Sequence, residues 1–188
     1  MKQAQTLSDK DVKRVLAYCG TRRHSMRDRS IIQTSILAGL RAKELAALCV
    51  GDVYDDKGQV RDQFIISGDQ TKGGCARRVY VSRKLRRVLS EYQSVIRTRC
   101  EHEPLFRTQM NTAFSANTMC QLFLNIYKQC GLSDASSHSG RRTFITRLAE
   151  QGVNVRVLAE LAGHRHISTT QRYIDVNDQQ MSRAVELV

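Results

Sequence analysis

The chain has 188 residues, with 30 lysines and arginines against 18 acidic residues and a formal net charge of +12. That length supports one domain with a real core, and so positive a balance points to a polyanionic partner, of which nucleic acid is the commonest. No window approaches the ~20 continuous apolar residues of a membrane span, residues 1–5 lack the apolar run of a secretory signal, and no helix sets a Lys-rich face against a bulky apolar one as a membrane-surface helix would.

The six cysteines, Cys19, Cys49, Cys75, Cys100, Cys120 and Cys130, include no C-x-x-C pair of the kind that binds zinc or cycles electrons. Several fall on apolar helical positions, where a free thiol acts as a small hydrophobe. All are read as reduced thiols in a cytoplasmic protein.

In chain order, Ser8 is placed to cap a first helix whose Val12, Val15, Leu16 and Cys19 form an apolar stripe ending at Gly20. Residues 21–29 are polar and basic, and read either as a solvated turn or as a phosphate-facing loop. Ile31, Ile32, Ser35 and Ile36 mark a second helix that ends at Gly39. Arg41 then opens a short helix, with Glu44 one turn on and able to reach Arg41 or the helix start. Taken alone, that pair is an ordinary surface ion pair.

From Val50 the periodicity changes. Residues 50–54 read as a short strand, 55–58 as a turn, 60–66 as a second strand, 71–74 as a Gly-rich hairpin turn and 77–81 as a third strand. Lys72 can project from that thin turn, although a lysine in a turn is normally just solvated. Ser82 caps a long helix with Leu85, Val88, Leu89, Tyr92, Val95 and Ile96 on one stripe. A loop around Pro104 follows, then a helix that buries Met119, Leu122, Phe123, Ile126 and Tyr127 and ends at Gly131. A helix starting at His138 would put His138 and Arg141 on one face. Asn154 caps the next, which buries Val157, Leu158 and Leu161 and stops at Gly163. Such a glycine-bounded helix pair can pass for a helix-turn-helix, which would make the chain a DNA-binding regulator without cutting activity. The last five residues are apolar for a free terminus, suited to folding back or docking on a neighbouring molecule. The expected fold class is α+β, mostly α-helical, with a small antiparallel sheet of about three strands near residues 50–82. Residues 1–188 read as a single domain.

Tyr173 by itself reads as a half-buried packing residue with a wet hydroxyl. The ordered set of motifs around it changes that reading. Gly39-Leu40-Arg41-x-x-Glu44-Leu45, Lys72 in a turn between strands, His138-x-x-Arg141, and Leu161-x-Gly163-His164 with Tyr173 nine residues after the histidine occur in this order. Together they resemble the catalytic domain of the tyrosine recombinases, the phage integrase family, over nearly the whole chain. Two departures stand out. The family's His-x-x-Arg box often has leucine before the arginine and histidine after it, where this chain has Gly140 and Arg142. The N-terminal helical domain with which the family grips the other face of DNA is expected to be absent.

The resemblance implies the integrase catalytic fold and a site-specific recombinase that breaks and rejoins double-stranded DNA. Tyr173 would be the nucleophile, forming a 3′-phosphotyrosyl link and freeing a 5′ hydroxyl. An ordinary tyrosine has a pKa of ~10, so about one in a thousand is phenolate at pH 7; His138 is the family's proton acceptor. Arg41 and Arg141 would clamp the phosphate with planar forks, donors of a kind worth ~3–4 kcal/mol each in the transition state. Lys72 would protonate the leaving oxygen, His164 would hydrogen-bond the phosphate, and Glu44 would support the site without doing chemistry. No metal, cofactor or ATP is expected. The family works as a tetramer on DNA, and segment 177–188 is the candidate docking element. Integration or excision of a mobile element is preferred to chromosome-dimer resolution. A type IB topoisomerase shares the chemistry, but the Gly-Leu-Arg and Leu-x-Gly-His details favour the recombinase.

Overall fold

The computed structural model describes residues 4–68, 76–96, 100–174, 181, 182, 185 and 186. Its spine is helix α2 (Ser25–Ala38), which buries Ser30, Ile31, Ile32, Thr34, Ser35, Ile36 and Ala38. A helix covered on most of its sides, with Arg29 exposed, belongs largely to an interior. Helices α1 (Asp9–Gly20), α3 (Ala42–Ala47), α5 (Arg83–Gln93) and α7 (Ser139–Glu150) pack against it, and α6 (Ala116–Gln129) closes over α1 and α3. Helix α8 (Val155–Ala162) rests on α7 and the sheet, and carries α9 (Ile167–Gln171). The expected caps form: Ser8, Ser82 and Asn154 each accept a backbone N–H in the first turn of the helix that follows.

Much of the basic segment 21–29 is neither turn nor loop, because α2 begins at Ser25. The buried carboxylate of Asp28 accepts from Arg22 Nε at 2.6 Å and from Arg27 Nε at 2.9 Å. These arginines neutralise a carboxylate that would otherwise be costly to bury.

The expected first strand is a helix. Val50–Val53 form α4, whose entry is capped by the Asp52 carboxylate accepting from the Cys49 N–H at 2.8 Å. The Val50 and Gly51 N–H groups donate to the carbonyls of Glu103 and Glu101, both at 2.9 Å, so a distant loop supplies what a strand partner would have. Among the described residues the sheet therefore has two strands, β1 (Gln63–Ile66) and β2 (Arg77–Tyr80), antiparallel, with Phe64 opposite Val79 and Ile66 opposite Arg77. Tyr54 and Val60 add only an isolated bridge. The turn at 71–74, and Lys72 with it, lies outside the described residues.

Smaller departures have local causes. Helix α5 ends at Gln93, leaving Val95 exposed, and Val157 of α8 is 49% exposed instead of buried. His138 is the N-cap of α7 and lies just outside it. Among the described residues no helix is long and apolar enough to cross a membrane, and the described cysteines are all free. Burial pushes the Cys19 thiol up to about 12, which leaves it unreactive.

Gly140 explains the first departure from the His-x-x-Arg pattern. It lies where α7 meets α2, and a Cβ there would stand 2.3 Å from Ser35 Oγ and 2.8 Å from Ser35 Cβ. The missing side chain lets the two helices approach and seats Arg141 beside the end of α2. Gly140→Ala should therefore destabilise the chain by roughly 1–3 kcal/mol through overpacking, although alanine is the better helix former by ~1 kcal/mol. Urea denaturation of the two proteins measures the difference; an unchanged or raised stability would show that the helices can separate freely.

Candidate active site

The site is built around Glu44. Its side chain is fully buried in the first turn of α3. One carboxylate oxygen accepts from the Arg41 guanidinium at 2.7 Å; the other accepts from the Arg41 backbone N–H at 2.9 Å and from Arg77 Nη2 at 2.8 Å. Burial alone would push the Glu44 carboxyl up. Arg77, the Arg41 N–H and the Arg41 guanidinium outweigh it and hold the carboxyl below its ordinary value. The surface ion pair that the sequence allowed is instead a buried three-residue network.

Arg77 was not singled out from the sequence. The two-residue period of β2 turns it, with Val79, toward the interior. It donates to Glu44, to the Leu161 carbonyl at 2.7 Å and to the Gly39 carbonyl at 3.4 Å, so one guanidinium ties α2, α3 and α8 to the sheet. Gly163, at φ +63°, ends α8 in the left-handed region. A Cβ there would lie 2.6 Å from Arg77 Cδ, so glycine serves both the turn and the arginine's stem.

Arg141 enters the same cluster from α7. It is buried and donates to the Gly39 carbonyl at 2.8 Å and to the Ala162 carbonyl. Burial, then the charges of Arg41 and Arg77, push it down to about 9, with Glu44 and Tyr173 opposing; it still carries its charge at neutral pH. Arg41, Arg77 and Arg141 thus meet around one carboxylate.

His164 and Tyr173 approach from the other side. Their rings stack with centroids 5.8 Å apart and an interplanar angle of 19°. His164 Nδ1 lies 2.8 Å from the hydroxyl of Thr170, which is fully buried in α9. Thr170 is a second residue that the sequence did not single out as part of the site. Burial, then Arg141, Arg41 and Arg77, push the His164 imidazole down to about 4, so it is neutral at pH 7. Tyr173 follows α9, its N–H donating to the Thr170 carbonyl at 2.9 Å. It lines a cleft of about 290 Å3 together with His138, Arg142, Ser136 and Thr169. The structure therefore gathers Arg41, Glu44 and Arg141 into one cluster and sets His164 and Tyr173 beside it. His138 is exposed and shares the cleft with Tyr173.

The site makes the fold acid-sensitive. An unfolded chain protonates His164 near its ordinary ~6.5, whereas the folded imidazole resists until about 4. Stability contributed by the neutral ring is complete above pH 6.5 and is lost as the pH falls through this window. Glu44, held low, adds a loss of the same sign at lower pH. Melting temperature should therefore fall between pH 7 and pH 5, and fall less in His164→Asn. Equal losses in the two proteins would show that His164 is not held neutral.

Comparison with known proteins shows the family and the fold. The phage integrase family profile matches residues 5–180. Tyrosine recombinase XerA of Pyrococcus horikoshii is 31% identical over 186 residues, covering 97% of this chain and 60% of the relative. Tyrosine recombinase XerC of Pelobacter propionicus is 29% identical, covering 82% of this chain and 49% of the relative. The chain thus spans about half to three-fifths of the length of these relatives. Among solved structures, the Tn1549 transposon integrase in complex with a circular intermediate DNA has a TM-score of 0.81 at 19% identity, covering all of this chain and 67% of that one. The XerA recombinase crystal structure has a TM-score of 0.77 at 22% identity, covering all of this chain and 66% of that one. Both likenesses establish the shared fold, and with the family match they support one conclusion: the chain belongs to the phage integrase family of tyrosine recombinases.

Proposed function

We propose that this chain is the catalytic domain of a site-specific DNA recombinase, with Tyr173 as the nucleophile. The observation that carries the reading is the convergence of Arg41, Arg141, His164 and Tyr173 on one place. Three guanidinium groups against the Glu44 carboxylate leave a surplus of two positive charges. A phosphodiester brings one negative charge, which grows as a fifth oxygen bonds to phosphorus. A site with surplus cations already in place stabilises that growth more than it stabilises the ground state.

The step balances without a cofactor. The Tyr173 oxygen attacks phosphorus while its proton passes to His138. The bond from phosphorus to the 5′ oxygen breaks, and Lys72 protonates the departing oxygen. Arg41 and Arg141 hold the non-bridging oxygens. If the Thr170 hydroxyl donates to His164 Nδ1, the imidazole proton sits on Nε2 and can be offered to the phosphate. The 3′-phosphotyrosyl link keeps the energy of the original ester, so religation needs no ATP, and side-chain cations stand in for metal ions. Glu44 orients Arg41 and Arg77 without touching substrate.

Relatives support DNA as the substrate: they carry the name tyrosine recombinase, and the Tn1549 integrase was solved on a circular intermediate DNA. That neighbour favours integration or excision of a mobile element as the biological setting. Assembly as a tetramer on DNA, with segment 177–188 docking on a neighbour, belongs to the same reading. A non-cutting DNA binder built on the glycine-bounded helices α7 and α8 is the outcome the test must separate.

Supercoiled plasmid incubated with the chain at low salt, without metal or ATP, separates them. Wild type should relax the plasmid and leave a denaturant-resistant protein–DNA adduct. Tyr173→Phe should bind with similar affinity and form none. An adduct from the phenylalanine variant would remove Tyr173 from the chemistry.

A further inference from the structure

Arg142 stands where the family often has histidine, and the proposed chemistry gives it no role. Its guanidinium carbon lies 5.4 Å from the centre of the Tyr173 ring. Its Nε donates to the Thr6 hydroxyl at 3.1 Å. The neighbouring Leu7 N–H donates to the Thr143 hydroxyl at 2.9 Å, so the segment entering α1 is pinned along the start of α7. The arginine is therefore held from one side while its guanidinium lies over the tyrosine.

The origin of each contact shows what this does. Tyr173 lies beyond the end of the five-residue helix α9. Its other ring partner, His164, belongs to the turn that leads into that helix, so both rings sit on one connected segment. Arg142 instead belongs to α7 and adjoins Arg141 in sequence. It links the tyrosine ring to the helix that carries a phosphate clamp. A small misplacement between nucleophile and clamp is expensive: an error of ~1 Å can cost about a hundredfold in rate.

We infer that Arg142 is a positioning residue, holding the Tyr173 ring in register with Arg141 through a cation–π contact braced by Thr6. The inference rests on the reading of Tyr173 as nucleophile. A histidine at 142, the residue the family often has there, is too short to make both contacts. Contacts of this type bias an equilibrium by about twofold when exposed and by about thirtyfold when shielded from water.

Two measurements test it. At saturating DNA, adduct formation should slow on the order of tenfold in Arg142→Ala, with the melting curve and DNA retention near wild type. Arg142→Lys keeps a cation over the ring but loses the Nε donor to Thr6, and should recover part of the rate. An alanine variant as fast as wild type overturns the inference, and so does a lysine variant as slow as alanine, since the charge would then be irrelevant. The second measurement needs no DNA. The Arg142 Nε–Hε resonance should be displaced by the aromatic ring current, remain so in Tyr173→Phe, and return to its ordinary position in Tyr173→Leu. An undisplaced resonance in the wild type overturns the contact. A wild type that forms no adduct but shows the displaced resonance would count against the nucleophile assignment while leaving the contact in place.

Discussion

The buried carboxylate of Glu44 is the interaction on which the rest of the site depends. It accepts from Arg41 at the start of α3 and from Arg77 on β2. Arg77 in turn reaches the carbonyls that end α2 and α8. Helices from distant parts of the chain are thereby drawn to one point. Removing one partner of a buried ion pair typically costs ~3–5 kcal/mol, because the charge left behind has lost both water and counter-ion. Glu44 therefore acts as much through the fold as through the chemistry it orients.

The same arrangement stores repulsion. Arg41, Arg77 and Arg141 face one another with one carboxylate between them, and burial with its neighbours' charges pushes Arg141 well below the usual guanidinium range. Backbone carbonyls at Gly39, Leu161 and Ala162 absorb part of that charge. They are available because Gly39 and Gly163 end their helices in the left-handed conformation and leave the last carbonyls without a next turn. A site so loaded with cations is poised for an anion, and the neutral imidazole of His164 follows from its burial and then from the same field.

The sequence made most of the helices and their caps legible, since those depend on neighbours three or four positions away. It failed where a distant partner decides. Residues 50–54 read as a short strand before a turn, yet Val50–Val53 are helical, with the Val50 and Gly51 N–H groups donating to the carbonyls of Glu103 and Glu101; the local hint was Asp52 at a capping position. Residues 21–29 looked like loop because their charges were counted without the buried Asp28 they neutralise. Arg77 is one arginine among many in a basic chain, and only the register of the sheet turns it inward. Thr170 was visible as a hydroxyl beside the histidine motif, but its contact with His164 depends on α9 folding back. Arg142 registered only as a departure from the family pattern; the ring beneath it comes from thirty-one residues further on.

The account's central claim is that one phosphate sits between Tyr173 and the arginine cluster. The most direct measurement is a crystal structure of the chain with nicked duplex DNA and orthovanadate, which mimics phosphorus bonded to five oxygens. The account predicts vanadium bonded to the Tyr173 oxygen, with Arg41, Arg141 and His164 within hydrogen-bond distance of its equatorial oxygens. Vanadate bound to another side chain, or held away from Arg41 and Arg141, would contradict it.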